Sequence, residues 1–204
     1  MEDYYSTSEA WTVKKSAQRV IQATNSWIYA QNRQNLYHLE KDRGYVCTFS
    51  AMVIKSTTAY IFHIGDIRIY RLRDGVLEQI TEDHRTWVSS EKSYLSRALG
   101  IDVDVRIDYE TLDVEEGDMF LFMTDGVYEF MDYEWMIEKL YADDDTFDTK
   151  AKDIVEKAYT DGSDDNLSMQ VVRVDTLPEK NAVELHVNLP QKKLPPILQA
   201  RMES

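Results

Sequence analysis

A single cysteine, Cys47, stands among the 204 residues. One thiol excludes an internal disulfide and a cysteine-rich zinc knuckle, and it suits a reducing, cytoplasmic setting. Proline is as scarce and is confined to one end: Pro178, Pro190, Pro195 and Pro196 are the only four. No stretch approaches the roughly 18 apolar residues that a membrane span requires. The opening Met1-Glu2-Asp3-Tyr4-Tyr5 has neither the basic nor the apolar region of a signal peptide. Positive charge is short too, with 23 basic against 37 acidic side chains and a net charge of −14. A surplus of acid argues against nucleic acid as a partner, because that affinity rests on Lys and Arg neutralising phosphates. What is present is 43% hydrophobic and 29% charged residues, the balance of one soluble globular domain rather than a disordered or membrane-embedded chain.

Between Thr12 and about Gln31, Val13, Ala17, Val20, Ile21, Trp27 and Ile28 recur mostly at helical spacing, which predicts one amphipathic helix packed on a flat surface. After it come three β-rich runs, 45–54, 59–64 and 67–72, and a short strand over 77–80. Gly65-Asp66 and Asp74-Gly75 read as turns of an antiparallel meander in which consecutive strands pair. Ser89 to Leu99 reads as a helix stopped by Gly100. An extended acidic stretch from Asp102 to Asp113 leads to the apolar strand 119–123, which ends in Thr124-Asp125-Gly126. Helices are predicted over Val127 to about Tyr141 and Phe147 to Tyr159, and a final strand over Leu167 to Val174. Residues 1–175 are thus read as one domain and 176–204, rich in Pro and Lys, as a linker or tail. Trp11, Trp27, Trp87 and Trp135 read as core and cleft lining.

Three aspartates stand at strand ends or in glycine-rich turns: Asp66, Asp125 and Asp165. Hard divalent cations want such oxygen ligands. Each alone reads equally as a helix cap or an Asx turn. Nucleophilic chemistry lacks its signatures. Six residues after Cys47 stands Val53, where a cysteine-phosphatase loop needs Arg, and no Gly-x-Ser-x-Gly elbow or phosphate-binding Gly-rich Lys loop occurs. The runs 143–145 and 161–165 lack the alternating acids of an EF-hand loop.

Taken in order, Gly65-Asp66-Ile67-Arg68-Ile69-Tyr70, Thr81-Glu82-Asp83-His84, Leu95-Ser96-Arg97-Ala98-Leu99-Gly100, Gly117 to Gly126 and Gly162-Ser163-Asp164-Asp165-Asn166-Leu167-Ser168 resemble the metal-dependent protein serine/threonine phosphatases of type 2C. The resemblance runs over Gly44 to Val174. It implies an α+β fold, a four-layer α-β-β-α sandwich of two antiparallel sheets. A pair of Mg²⁺ or Mn²⁺ ions would lie in a cleft at one end, with a third, weaker site. Water activated by those ions, rather than a side-chain nucleophile, would attack a phosphoserine or phosphothreonine of a protein substrate. By the same resemblance Asp125 and Asp165 are ligands of the metal pair, and Asp66 serves the third site with Glu129 as a further acid beside it. Asn166 and Arg68 are expected to orient loops, and His84 to have a structural role.

The pattern departs at the N-terminus. The family's first strands, which carry an Arg and the Glu-Asp and Asp-Gly acids, have no match in this chain. Two readings stay open here: the C-terminal part of a phosphatase domain, or a catalytically incomplete relative that binds a partner. A weaker resemblance lies in Leu194-Pro195-Pro196-Ile197-Leu198, which looks like the connector of bacterial proteins in which such a phosphatase precedes a serine/threonine kinase domain. It implies a fused or cognate kinase as partner.

Overall fold

The structure is a computed structural model and describes residues 12–34, 44–89, 92–143 and 145–178. The tail reading over 176–204 therefore falls almost wholly outside the described residues, as does Trp11. The elements are α1 (Val13–Gln34), β1 (Phe49–Lys55), β2 (Thr58–Ile64), β3 (Arg68–Arg73), β4 (Val76–Gln79), β5 (Arg85–Ser89), β6 (Lys92–Leu95), β7 (Asp108–Asp113), β8 (Met119–Met123), α2 (Asp125–Tyr128), α3 (Tyr133–Tyr141), α4 (Phe147–Thr160) and β9 (Met169–Arg173).

Two antiparallel sheets, ordered β1-β2-β7 and β4-β3-β8-β9, carry the fold, with a separate β5-β6 ribbon. Alternation along the strands builds the layers. On β8, Met119, Leu121 and Met123 join Leu140, Ile154 and Ala158 of α3 and α4, whereas Phe120 turns the other way to Ala59, Val114 and Val174. On β2, Phe62 and Ile64 pack on Ala17 and Ile21 of α1. The order is therefore α1, first sheet, second sheet, then α3 with α4, a four-layer α-β-β-α sandwich.

Local chemistry accounts for the helix ends. Asp132 accepts from the Trp135 N–H at 3.1 Å and Thr146 from the Thr149 N–H at 3.3 Å, which caps α3 and α4. Lys150, buried on α4, donates its ammonium to the Leu140 carbonyl at 3.1 Å and to the Ala142 carbonyl, closing the C-terminal end of α3. The expected single helix over 127–141 is thus two helices, because Asp132 starts a new one after the short turn of α2.

Three further readings are corrected. The Gly65-Asp66 turn does not join paired strands: β2 pairs with β7 and β3 with β8, so the chain crosses between sheets there. Within the range 89–99 the described residues are not helical: Ser89 ends β5, Lys92–Leu95 form β6, and Leu99 makes a β-bridge with Cys47. The backbone groups a helix would use internally are committed elsewhere: Ser96 N–H to the His84 carbonyl at 2.8 Å, and Leu99 N–H to the Cys47 carbonyl at 2.8 Å. Trp27 lines no core, being 65% exposed on α1, although Trp135 does pack on the second-sheet core.

Gly65 is required where it stands. It has φ +112°, and a Cβ there would lie 2.3 Å from Thr48 Cγ2. Gly75 shares a positive φ of +77° with open space around it. Gly65→Ala is expected to lower stability by more than about 2 kcal/mol and Gly75→Ala by about 1 kcal/mol. Urea midpoints at unchanged slope would measure both, and equal losses would refute a steric role for residue 65.

Candidate metal centre

His84 fixes the crossover. Its N–H donates to the Gly65 carbonyl at 2.8 Å, and Gly65 N–H donates back to His84 Nδ1 at 3.0 Å. With Nδ1 accepting, Nε2–H donates to Asp108 Oδ2 at 2.8 Å, and Arg97 Nη1 donates to the other oxygen of Asp108 at 2.6 Å. Burial alone would raise the Asp108 carboxyl, but the Arg97 and His84 hydrogen bonds outweigh it and hold the group below its ordinary value. The buried His84 thus joins the crossover to β7.

The pinning of residue 84 to residue 65 sets the next residues, Arg85 and Asp66, side by side. Arg85 Nε donates to Asp66 Oδ2 at 2.8 Å, Nη1 to Glu129 Oε1 at 3.1 Å, and Nη2 to Asp125 Oδ2. One guanidinium therefore gathers three of the four acids singled out in the sequence. Its side chain is 15% exposed. Burial would lower its pKa, yet the Asp66 hydrogen bond and the surrounding carboxylates leave it above its ordinary value. Arg68 lies beside this cluster with other partners, donating to both oxygens of Asp83 at 2.8–3.3 Å and lying 3.7 Å from the centre of the Tyr128 ring.

The fourth acid, Asp165, comes in through the pairing of β8 with β9. Thr124 Oγ1 donates to the Asn166 carbonyl at 3.1 Å and accepts from Ser168 N–H at 3.1 Å, which stitches the two strand ends together. Gly126 is needed at this seam: a Cβ there would sit 2.8 Å from the Asn166 carbonyl oxygen and 3.2 Å from Asp165 Cβ. Asp165 is exposed, and its Oδ1 accepts from Asn166 N–H at 2.7 Å. It lies against the Asp125–Gly126 turn.

By donor type this set suits a hard divalent ion: it is anionic and oxygen-only. The Tyr128 hydroxyl beside it is buried with no hydrogen-bond partner among the described residues, a polar position a bound water would satisfy. Among the described residues, however, no trio of His, Cys, Asp or Glu is gathered tightly enough to hold an ion as it stands. Arg85 is the spacer. Sequence reasoning passed over this residue; its one signal is a basic side chain directly behind Asp83-His84, and its meaning needs the contact between residues 84 and 65.

Other chemistry has no purchase. An apolar groove of about 620 Å³ beside β1 is lined by α1, β1, β8 and β9 residues such as Val20, Met52, Phe122 and Val172, with no titratable side chain. The Cys47 thiol is pushed up by desolvation, away from the thiolate a nucleophile needs.

Comparison with known proteins agrees with the fold. Residues 1–171 match the family profile described as Protein phosphatase 2C. The chain belongs to the protein phosphatase 2C family. Within that family it is 28% identical over 189 residues to the serine/threonine phosphatase stp of Listeria monocytogenes, covering 82% of this chain and 75% of that one. The catalytic domain of the serine/threonine protein phosphatase PstP, solved in complex with two manganese ions, superposes with a TM-score of 0.66 at 27% identity, over 79% of this chain and 71% of that one. The fold is also that of phosphatase Stp1 from Staphylococcus aureus, with a TM-score of 0.71 at 18% identity over 83% of this chain and 71% of that one.

A second histidine gives the centre's surroundings a pH signature. The ring of His63 on β2 lies 4.7 Å from that of His84 and is tilted 45° to it, with Nε2–H donating to the Glu82 carbonyl at 3.1 Å and Nδ1 accepting from the Ser50 hydroxyl at 2.8 Å. Burial first, and His84 second, push its pKa below the ordinary value. The unfolded chain then takes up this proton first, near pH 6.5, so the stability His63 contributes is present above about pH 6.5 and is lost as pH falls through the folded value. The Asp108 contribution is lost only below about pH 4, in a separate window. Melting temperatures are expected to fall between pH 7 and 5, and less steeply in His63→Gln. An identical slope in the variant would contradict the assignment.

Proposed function

We propose that this chain hydrolyses phosphoserine and phosphothreonine on protein substrates with Mg²⁺ or Mn²⁺, in keeping with its family. Asp125 and Asp165 would hold the main ions and Asp66 with Glu129 a weaker third. The observation that carries this is the Thr124 seam, which sets Asp125 and Asp165 on adjoining strand ends within one phosphatase fold. The serine/threonine phosphatases among its relatives favour the enzyme over a partner-binding relative without catalysis.

When bound, divalent ions supply neutralisation of phosphoryl charge and a more acidic water. The protein's part is positional. Asp125 leaves a buried strand, so its carboxylate is fixed by the sheet, while its Oδ1 accepts from Gly126 N–H at 3.0 Å and cannot rotate freely. His84 and Asp108 hold the loop that brings Asp66 up, and Arg68, lying over the Tyr128 ring, holds Asp83. No side chain is needed as nucleophile, and the Cys47 thiol is not activated as one.

The same reading extends to the chain's setting. Residues 1–175 would form the phosphatase domain and 176–204 a linker. A serine/threonine kinase, fused or cognate, must supply the phosphoprotein, and the cytoplasm is the compartment. Among the described residues no helix is long and apolar enough to cross a membrane.

The ranking of acids tests the assignment. Asp125→Asn is expected to reduce phosphopeptide hydrolysis and Mn²⁺ binding at least about 100-fold, and Asp66→Asn by about tenfold or less, since an amide keeps the shape but loses the charge that holds a hard cation. Calorimetric Mn²⁺ titration with phosphopeptide kinetics would decide it, and an Asp125→Asn protein with near-normal binding and turnover would sink the reading.

A further inference from the structure

Arg85 stands where three acids of the proposed metal centre meet, and the protein phosphatase 2C reading gives it no task. Its three nitrogens go to three different carboxylates, Asp66, Asp125 and Glu129, and to no one of them twice. A bidentate fork on one partner is the ordinary structural ion pair, as Arg68 makes with Asp83 through Nε to Oδ1 and Nη2 to Oδ2. Arg85 is instead shared as a coordinated ion is shared. The three acids carry three negative charges against one positive charge, so a divalent cation balances the cluster better than the guanidinium does.

We propose that Arg85 is an internal cation that competes with the divalent ion for Asp66, Asp125 and Glu129, so that metal takes these carboxylates only when the guanidinium has swung off them. The inference rests on the metal-site reading above. Two features of the fold make the exchange feasible. Arg85 opens β5, which among the described residues pairs only with β6, so its side chain can turn away without breaking either main sheet. Its backbone stays anchored meanwhile by the His84 bond to Gly65, so the cation remains tethered and returns when metal leaves.

The consequence is a metal threshold built into the protein. With metal scarce, the guanidinium keeps three neighbouring carboxylates from repelling one another, and the domain stays folded. Because a guanidinium remains charged across the physiological range, competition by a cation releases it and pH does not. Apparent affinity for metal is the intrinsic affinity scaled by the fraction of molecules with Arg85 displaced.

The test uses the full chain as wild type, Arg85→Ala, Arg85→Lys and Asp125→Asn. Free Mn²⁺ is followed by its electron paramagnetic resonance signal, and melting is recorded in EDTA and in saturating Mn²⁺. If the displaced form is about a tenth of the population, Arg85→Ala binds Mn²⁺ about tenfold more tightly than wild type. It also melts below wild type in EDTA and gains more from Mn²⁺. Arg85→Lys falls between them, because an ammonium is one compact charge that reaches fewer carboxylates. Unchanged or weaker Mn²⁺ binding in folded Arg85→Ala overturns the proposal. Should Arg85→Ala fail to fold, unchanged affinity in Arg85→Lys does the same. Loss of binding in Asp125→Asn with no gain in the Arg85 variants defeats the proposal alone. Mn²⁺ binding that survives Asp125→Asn, or that no variant shows, defeats the metal reading and the proposal with it.

Discussion

The reciprocal hydrogen bonds between His84 and Gly65 are the joint on which this protein depends. They hold a glycine at φ +112° at the point where the chain leaves one sheet for the other. If β2 and β3 closed as a hairpin, there would be one sheet rather than a sandwich. The joint is buried and extends through Asp108 to Arg97, so the crossover is tied to β7 and to the loop after the β5-β6 ribbon. A polar network in such a place stabilises only when every member is satisfied, and here each imidazole nitrogen of His84 has a partner.

The candidate centre follows from that joint by chain adjacency. Fixing residue 84 beside residue 65 fixes Arg85 beside Asp66, and the β3–β8 pairing brings Asp125 up from the neighbouring strand. Anions gathered at one end of a sandwich repel unless a cation answers them, and a guanidinium is the cation the chain itself supplies. The same concentration of negative charge is what a hard divalent cation requires of its ligands. Burial adds to this, since lower dielectric strengthens both the repulsion and its relief.

Much of this was legible in residue order. β-rich and apolar runs marked β2, β3 and β8, Asp74-Gly75 marked the β3–β4 turn, and the motifs around Asp66, Asp125 and Asp165 pointed to one family and one kind of centre. The misreadings share a cause. Residues 89–99 have apolar spacing compatible with a helix, but the backbone groups of Ser96 and Leu99 are drawn off by His84 and Cys47. Gly65-Asp66 has the composition of a hairpin turn, but a turn residue does not say which strands it joins. Trp27 has an aromatic's tendency to be buried, yet it falls on the outer face of α1.

By itself the sequence determined the alternating strands, the amphipathic helices and the chemical type of the site, because periodicity and residue chemistry are local properties. Only the tertiary structure decided which strands share a sheet, and that Arg85 rather than another basic residue meets Asp66, Asp125 and Glu129. That meeting joins residues 19, 40 and 44 positions apart. Electrostatic partnership depends on distance in space, and no spacing along the chain encodes it until the sheets have packed.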